Sequence, residues 1–355
     1  MTFTDTLTAF AKTNILVVGG AGFVGSNLVH RLTTTDAARL TIVDNLLSAE
    51  RGNVPNDARV ELIASSITDD DVLASLDDRF DYVFHLATFH GNQNSIADPL
   101  ADHQNNTLTT LKLFERMCRF KRLKSVVYAS AGCTVAEKTF GEAEATSEDA
   151  PVSLWHDSPY QISKLIGEFY ANYYHARHGL PVAKARFQNV YGPREILGAG
   201  AWRGTSATVW RNVTPVFVYR ALKGLPLVVD NGGQATRDFI YVDDIVEGLM
   251  RCATSGSAGE VYNLASGVET SILELAEAIN RKTGNLAGVD LGPPRDWDRS
   301  GRRYGDPGKA NRVLGFSCAI DLDAGLDRTI AWTRDNLALI DSCVERHRDQ
   351  LTDAA

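Results

Sequence analysis

The sequence predicts an α/β protein in which a doubly wound parallel sheet is followed by a smaller C-terminal α/β lobe. Apolar strand-like segments alternate with amphipathic helix-like segments through the first half of the chain, as in successive βαβ units. A glycine-rich turn joins the first strand to the first long helix, and the alternation ends after Gly192-Pro193. The 355 residues suffice for one large domain and one smaller lobe.

The first strand and the turn after it predict a phosphate site. Residues 14–18 form an apolar run, as expected for a strand buried on both faces. Gly19, Gly22 and Gly25 follow, and residues 26–32 have the pattern of an amphipathic helix. Glycines permit the tight turn and a close approach of phosphate, and a helix N-terminus offers free N–H groups. We therefore expect the turn to bind the pyrophosphate of a dinucleotide.

The second strand indicates which dinucleotide is bound. Residues 40–43 are strand-like and end at Asp44, about 20 residues past the glycine turn. A carboxylate at this point accepts hydrogen bonds from the adenosine ribose and repels a 2′-phosphate. Because Asn45 rather than an arginine comes next, the pattern favours NAD over NADP.

The later elements extend the same pattern and then change character. Strands are predicted at residues 60–64, 82–86, 125–129 and 182–187, and helices at residues 101–120, 158–178 and 323–336. We expect residues 1–192 to form the NAD-binding domain, with about 239–265 returning to it, residues 193–340 to form mainly the substrate-binding lobe, and residues 341–355 to be a polar helical tail. Residues 194–214, rich in Gly, Thr and Arg, have the composition of a long loop that covers a substrate.

The composition argues against several classes of partner. A net charge of −8 leaves no basic stripe for nucleic acid, and no segment approaches the length of a membrane span. Residues 1–12 lack the features of a signal peptide and are expected to form a short helix. Five widely spread cysteines suit a reducing compartment, so we expect a cytoplasmic protein. His175 and His178 lack companions at ligand spacing, so we expect no metal site.

A tyrosine and a lysine are the candidate catalytic residues. Tyr160 and Lys164 are four residues apart on a predicted helix and therefore share one face. An ammonium close to a phenol favours the phenolate, which suits Tyr160 to act as a general base for a sugar or alcohol hydroxyl. Such a pair arises often by chance, and its combination with the dinucleotide turn is what makes it informative.

At this point the chain resembles the extended short-chain dehydrogenase/reductase family, specifically its NAD-dependent nucleotide-sugar epimerases and dehydratases, which have a Rossmann-type fold. The resemblance covers roughly residues 13–332. Its landmarks are the glycine turn, Asp44-Asn45-Leu46, His85-Leu86-Ala87, Asn106, Tyr160 to Lys164, Arg186 to Pro193, Arg237 to Asp244, Leu314-Gly315-Phe316 and residues 325–332.

The resemblance implies roles for individual positions. Cofactor contacts are implied for Gly19, Gly22, Phe23, Val24, Gly25, Asp44, Asn45, Ser66, Ile67, Leu86, Ala87, Thr88, Asn106, Tyr160 and Lys164. Asn189 and Arg237 would hold the diphosphate of a nucleotide-sugar substrate, and either Arg299 or Arg302 would add a second clamp. The guanidinium fork matches phosphate oxygens, which is an independent reason to place arginines there.

One position departs from the family pattern. Family members carry a catalytic Ser or Thr at the end of the fifth strand, where an ungapped comparison places Ala131. Ser130, Cys133 and Thr134 are the candidates to replace it. The related 4,6-dehydratases have an Asp-Glu pair directly after that position, whereas this chain has Gly132-Cys133, which disfavours simple 4,6-dehydration. Cys133 lies where 3,5-epimerases of the family place an acid/base cysteine, although it is equally compatible with a small buried apolar residue.

These observations predict an NAD-dependent nucleotide-sugar epimerase, by resemblance one acting at C4 of an NDP-hexose or hexuronic acid through a transient keto-sugar. The alternatives are a lyase (a uronate decarboxylase or an unusual dehydratase), a 3,5-epimerase, and a non-catalytic NAD-binding protein. Arg203 and Arg211, in the long loop, are candidates to bind a sugar carboxylate. Family members commonly dimerise through the helices predicted at 101–120 and 158–178, so we expect a homodimer.

Overall fold

The structure of the protein is a computed structural model that describes residues 3–132, 135, 139–295, 298 and 301–353. The strands are β1 (Asn14–Val18), β2 (Arg39–Val43), β3 (Val60–Ile63), β4 (Tyr82–His85), β5 (Ser125–Ala131), β6 (Ala145–Thr146), β7 (Val182–Phe187), β8 (Asn189–Tyr191), β9 (Leu227–Val229), β10 (Thr236–Tyr241), β11 (Val261–Leu264), β12 (Glu269–Ser271), β13 (Val289–Leu291) and β14 (Tyr304–Gly305). The helices are α1 (Phe3–Thr8), α2 (Phe23–Thr33), α3 (Asp70–Ser75), α4 (Asn92–Ala97), α5 (Pro99–Asp102), α6 (Thr109–Met117), α7 (Pro159–His178), α8 (Val213–Leu222), α9 (Val242–Ser255), α10 (Ile272–Thr283), α11 (Gly308–Leu314), α12 (Leu322–Asp335), α13 (Leu337–Glu345) and α14 (Arg348–Asp353).

Seven strands form the central sheet in the order β11-β7-β5-β4-β1-β2-β3, and neighbouring strands run parallel throughout. The chain proceeds from β1 outward to β3, then crosses back to place β4 on the other side of β1. This reversal opens a crevice at the carboxyl ends of β1 and β4, where open α/β sheets bind their ligands. The predicted doubly wound parallel sheet is confirmed.

The β1 strand shows why the sequence pattern is apolar rather than alternating. Ile15 and Val17 point into one core cluster and Leu16 and Val18 into the other, with all four side chains at most 1% exposed. Helices α2 and α9 contribute to the first cluster, and α6 and α7 to the second. A sheet covered on both faces requires apolar side chains at successive positions.

Two elements near the crevice differ from their predicted form. The helix predicted over residues 101–120 begins at Pro99, where the Asp98 side chain caps it, and passes through a π-helical turn over His103–Leu108 before α6. Strand β5 continues to Ala131, two residues further than predicted. The π-helical turn lies next to the crevice, and such turns occur frequently at functional sites.

The C-terminal lobe has its own core. Strand β10 pairs in parallel with β8 and antiparallel with β12, while β9 pairs with β13. Helices α8, α10 and α12 pack on these strands around buried residues such as Phe217, Leu227 and Leu275. Strand β11 instead joins the edge of the central sheet beside β7.

The C-terminal helix α13 buries apolar side chains, although the sequence predicts a polar tail. Ile340 and Cys343 of α13 are buried against Ile196, Leu197 and Ala199. These three residues belong to the segment 194–212, hereafter the cover loop, whose regular structure is limited to a short 3₁₀ turn over Ser206–Thr208 among the described residues. The tail therefore supports the loop that lies over the crevice.

Within the described ranges, no helix combines the length and apolar content needed to cross a membrane.

Candidate active site

A cavity of about 630 Å³ lies at the carboxyl edge of the central sheet and extends into the C-terminal lobe. One wall is formed by the glycine turn and the ends of β2, β4 and β5, and the opposite wall by α8, β9 and the segment before β10. The cover loop contributes Glu195, Ala207, Trp210, Arg211 and Asn212 to the lining. One continuous chamber thus joins the predicted cofactor turn to the predicted substrate lobe.

The glycine turn owes its shape to two close approaches. Gly19 has φ = +84°, and a Cβ there would lie 2.5 Å from the backbone nitrogen of Ala87. A Cβ on Gly25 would overlap the carbonyl oxygen of Gly19. With Gly22, Phe23 and Val24 they line the cavity, and α2 begins at Phe23 with its N-terminus at the turn. The turn therefore places helix N–H groups where a pyrophosphate can bind.

Asp44 lies at the end of β2 and lines the cavity. Its carboxylate accepts hydrogen bonds from the backbone N–H of Ala21 (2.9 Å) and of Leu46 (2.8 Å). Burial raises the pKa of Asp44, and the backbone hydrogen bonds oppose that rise. Because each carboxylate oxygen can accept more than one hydrogen bond, Asp44 fixes the turn and retains acceptor capacity for ribose hydroxyls.

The other predicted cofactor residues divide into two groups. Six of them line the cavity: Asn45, Ser66, Ile67, Leu86, Ala87 and Thr88. Asn106 does not, because it lies on the π-helical turn beneath the lining.

Asn106 supports the site instead of forming its surface. Its side-chain oxygen accepts from the Thr88 hydroxyl (3.0 Å) and the Phe89 N–H (2.7 Å), and its amide group donates to Asp102 (2.7 Å) and to Ser163 (3.1 Å). These bonds join the segment after β4 to helix α7. Asn106 thereby fixes the relative positions of two walls of the cavity.

Tyr160 and Lys164 both line the cavity, on the first two turns of α7. Ser158 caps this helix, and the hydroxyl of Ser95 accepts a hydrogen bond from the backbone N–H of Tyr160 (3.1 Å). The ammonium of Lys164 donates to the Ala129 carbonyl (2.9 Å) and lies 5.9 Å from the ring centre of Tyr160. The helix thus presents the phenol and the ammonium to one chamber, as the four-residue spacing predicts.

The end of β5 leaves an alkyl group where family members carry a hydroxyl. Ala131 lines the cavity together with Ser130, but the Ser130 hydroxyl donates to Glu168 (2.5 Å). Glu168 is in turn paired with the buried Arg186 (2.8 Å), so the hydroxyl belongs to a buried ionic network. Cys133 and Thr134, the other two candidates, lie outside the described residues.

His90 is a lining residue that the sequence patterns did not single out. Its ring packs edge-on against Tyr160, with ring centres 5.9 Å apart. Burial, together with the charges of Arg203, Arg211 and Lys164, lowers the pKa of His90 to about 3. A neutral imidazole therefore stands beside the phenol, within the field of three cations. The signal in the sequence is a histidine five residues after the end of β4 at His85, in the segment where open α/β sheets bind ligands.

The lobe wall carries the predicted diphosphate residues and several that were missed. Asn189 and Arg237 line the cavity, and Arg237 donates to the carbonyl of Gly301 (2.7 Å) and pairs with Asp298 (3.4 Å). The lining also contains Arg220, Arg295 and Arg303. Single arginines such as these belong to no spaced motif, so sequence reasoning cannot separate them from surface charges.

Arg302, one of the two candidates for a second clamp, does not line the main cavity. Arg302 pairs with Glu269 through two contacts of 2.9 Å and lines a separate shallow depression. Its neighbour Arg303 is the one that lines the main cavity. Arg302 lies in the segment leading to the short strand β14, and successive side chains there point to opposite sides. Arg299 lies outside the described residues.

The cover loop brings two arginines and a glutamate together beside His90. Arg211 lines the cavity and donates to the carbonyls of Ser48 (2.8 Å), Thr208 (3.2 Å) and Ala199. Arg203 is buried beneath the lining, with its guanidinium 5.8 Å from the ring centre of Phe89. Glu195, which lines the cavity, accepts a hydrogen bond from Asn212.

The described residues contain no cluster of three or more His, Cys, Asp or Glu side chains able to hold a metal ion.

The residues present fit NAD. A turn that leaves no room for a Cβ, a helix N-terminus and the Asp44 carboxylate lie in sequence along one cavity, as a pyrophosphate with an adjoining ribose requires. The fold and the site are therefore those of an NAD-binding enzyme that has a Tyr-Lys pair. Residues 15–265 match the model of the NAD dependent epimerase/dehydratase family, and the chain belongs to this family.

Known proteins resemble the chain over almost its whole length. The UDP-glucose 4-epimerase of Mycolicibacterium smegmatis is 32% identical over 326 residues, covering 90% of this chain and 98% of that one. The dTDP-glucose 4,6-dehydratase of Streptomyces antibioticus is 32% identical over 335 residues, covering 92% and 93%. The crystal structure of the Bordetella bronchiseptica enzyme WbmF in complex with NAD⁺ and UDP is 58% identical, covers 97% of this chain and 99% of that one, and superposes with a TM-score of 0.88. The cofactor of the present protein is NAD.

Proposed function

We propose that the protein is a nucleotide-sugar epimerase that inverts C4 of a UDP- or other NDP-hexose or hexuronic acid. The observation that carries this proposal is the convergence of Tyr160, Lys164 and the NAD turn on one cavity that continues into an arginine-lined lobe. The cofactor half supports redox chemistry at a carbinol carbon. The lobe half has the charge to hold a nucleoside diphosphate.

The chain's own residues account for the proton and for the orientation of the sugar. Bound NAD supplies a hydride acceptor that becomes the hydride donor when the keto-sugar is reduced. Tyr160 takes the proton of the C4 hydroxyl during oxidation and returns it during reduction. Lys164 stabilises the phenolate and is held in place by the Ala129 carbonyl. Inversion requires that the keto-sugar turn over between the two half-reactions while its nucleotide remains bound.

The lobe offers two anchors for that nucleotide. Arg237 is held by carbonyls and by Asp298, so its guanidinium is oriented before a ligand arrives. Asn189 begins strand β8, which pairs with β10, the strand that contains Arg237. In this pairing Asn189 lies opposite Phe239, two residues after Arg237. The UDP in the WbmF complex supports uracil as the base in this protein as well. We therefore propose that Asn189 and Arg237 bind the diphosphate of a UDP-sugar.

The deciding experiment is proton NMR of the purified protein with UDP-, dTDP- and GDP-sugars in D₂O. Direct hydride return predicts an epimerised sugar with no solvent deuterium, and the ring couplings identify C4 as the inverted carbon. Deuterium at C3 or C5 would reject C4 chemistry and favour a 3,5-epimerase that uses Cys133. Loss of water or carbon dioxide would instead identify a lyase.

The lyase is the second candidate because its first step is the same oxidation. The similarity to a dTDP-glucose 4,6-dehydratase supports elimination as a candidate reaction. Gly132 follows Ala131 here, in place of the acidic residue that a simple 4,6-dehydration needs. Decarboxylation of a uronic acid remains compatible with the same Tyr-Lys pair, and the mass of the product distinguishes it. A protein that binds NAD and turns over no sugar would instead match the non-catalytic alternative.

We further propose a cytoplasmic homodimer. Helix α7 presents Ile162, Phe169 and Tyr173 on its outer face, with 45%, 56% and 55% of their surfaces exposed. Apolar surface of this kind is stabilised by burial against a second copy. Cys118, Cys252, Cys318 and Cys343 are free thiols, in keeping with a reducing compartment. Light scattering of the wild type and of Phe169→Glu tests the dimer, which the added charge should dissociate.

A further inference from the structure

The cover loop holds a cationic cluster that the Tyr-Lys chemistry does not use. It consists of Arg203, Arg211 and Glu195. Arg203 and Glu195 are each 5% exposed, and both have side-chain atoms without a hydrogen-bond partner among the described residues. In Arg203 these atoms are Nε and Nη1, and in Glu195 the atom is Oε2. Buried polar atoms of this kind are costly unless a ligand or water completes them.

The charge of the cluster is only partly compensated at neutral pH, although Glu195 and Glu50 both act on Arg211. Burial lowers the pKa of Arg203 to about 9 and that of Arg211 to about 10, so both guanidiniums remain charged at pH 7. Burial also raises the pKa of Glu195 to about 7, so its carboxyl neutralises only part of that charge. The cluster therefore favours an anion.

The position of the cluster identifies which part of a substrate it would meet. His90 is close to both the cluster and Tyr160: its ring packs on Tyr160 with centres 5.9 Å apart, and the charges of Arg203 and Arg211 act on its imidazole. Arg237, the proposed diphosphate anchor, lies on the lobe wall. A sugar whose C4 hydroxyl meets Tyr160 carries its C6 group on the adjacent ring carbon, next to C4. A carboxylate at C6 is thus the anionic group of the substrate that lies nearest to the reacting hydroxyl.

We propose that Arg203 and Arg211, with Glu195, form a carboxylate subsite that selects an NDP-hexuronic acid over an NDP-hexose. Arg211 contacts the cavity directly and keeps N–H groups in excess of its three carbonyl partners. Arg203 does not line the cavity, and its buried guanidinium adds positive charge from behind the lining. This proposal rests on the nucleotide-sugar function proposed above and narrows its substrate class.

The test measures binding of UDP-glucuronic acid and UDP-glucose to the NAD-loaded, full-length protein by calorimetry. The wild type is expected to bind UDP-glucuronic acid at least about tenfold more tightly, since charge-assisted hydrogen bonds are the stronger ones. Arg203→Met should reduce this preference to about twofold by weakening UDP-glucuronic acid alone. Arg203→Lys keeps the positive charge and should retain most of the preference. This variant distinguishes loss of charge from a folding defect caused by substitution at this position.

A matched control is available in α6. Arg116 also donates to backbone carbonyls, those of Leu76 and Ala74, and its guanidinium also lies 5.8 Å from a phenylalanine ring centre, that of Phe120. It does not line the cavity. Arg116→Met should leave the affinities for both sugars and for NAD unchanged.

Several outcomes would overturn the subsite. Equal affinity of the wild type for the two sugars would do so. A loss of NAD affinity in Arg203→Met with an unchanged sugar preference would assign the arginines to the cofactor phosphates instead. By contrast, a clear preference for UDP-glucuronic acid without any C4-inverted product would support the subsite and reject the epimerase function.

Discussion

The cofactor half and the substrate half of the cavity are built in different ways. In the cofactor half, Gly19 to Gly25 and Asp44 form the site from backbone and one carboxylate, within about 30 consecutive residues. In the substrate half, Arg211, Arg237 and Arg303 arrive from separate segments and act through long side chains. Binding in the cofactor half should be impaired by added side-chain atoms, whereas binding in the substrate half should be impaired by the loss of a positive charge. Substitutions in the two halves should therefore differ in effect, and the largest effect is expected at Tyr160, where the halves meet.

Replacing Tyr160 with phenylalanine should produce the largest effect. The variant keeps the ring that packs on His90 and removes only the phenolic oxygen. We expect kcat to fall by about 10³-fold, in the range that a positioned general base contributes. Affinities for NAD and UDP, measured by calorimetry, should change less than about threefold. Full activity in Tyr160→Phe would show that another group takes the proton.

Gly25→Ala tests the intolerance of the cofactor half. The added methyl group would overlap the Gly19 carbonyl, so the turn must move, at a cost of about 2–3 kcal/mol in the free energy of unfolding. We expect NAD affinity to fall at least about tenfold together with the melting temperature. Gly52→Ala is the control, because a Cβ at Gly52 meets no atom within 4 Å. If both variants bind NAD equally well, the close approach at Gly25 is not required.

Glu195 provides a pH-dependent comparison within the cover loop. Burial raises its pKa from 4.5 to about 7, so the folded protein retains a proton that the unfolded chain releases. Its contribution to stability therefore decreases as pH rises from about 4.5 to 7 and is constant above, by about 3 kcal/mol at most. Glu195→Gln should remove this dependence.

The measurement is urea unfolding of the wild type and Glu195→Gln at pH 5 and pH 8. Relative to the wild type, the variant should gain stability at the higher pH, while groups common to both proteins cancel. A stability difference that is the same at both pH values would place the pKa of Glu195 in its ordinary range.

Arg237 and Arg302 offer the smallest and most specific contrast. Arg237 lines the cavity, whereas Arg302 is paired with Glu269 in a separate depression. Arg237→Met should raise the KM for a UDP-sugar about 30-fold, corresponding to about 2 kcal/mol for a lost charged hydrogen bond. Arg302→Met should change KM less than about twofold. The reverse result would restore Arg302 as the diphosphate clamp.

The sequence by itself determined the features that depend on neighbouring residues. The doubly wound sheet followed from apolar runs, because strands covered on both faces exclude polar side chains, and the structure confirms it. The cofactor choice followed from the glycine turn with Asp44, and the NAD complexes of a close relative support it. The Tyr160–Lys164 pair shares one cavity wall because helical periodicity places residues four apart on one face.

Only the tertiary structure decided which side chains meet across large separations in sequence. It placed Asn106 behind the cavity wall, put Arg303 rather than Arg302 on the lining of the main cavity, and brought His90 against Tyr160. It also showed the C-terminal helices supporting the cover loop through Ile340 and Cys343. Periodicity records which face of an element is buried, but not what lies opposite that face. The contacts that orient long charged side chains arise only when distant elements pack, so the substrate half is a property of the folded chain.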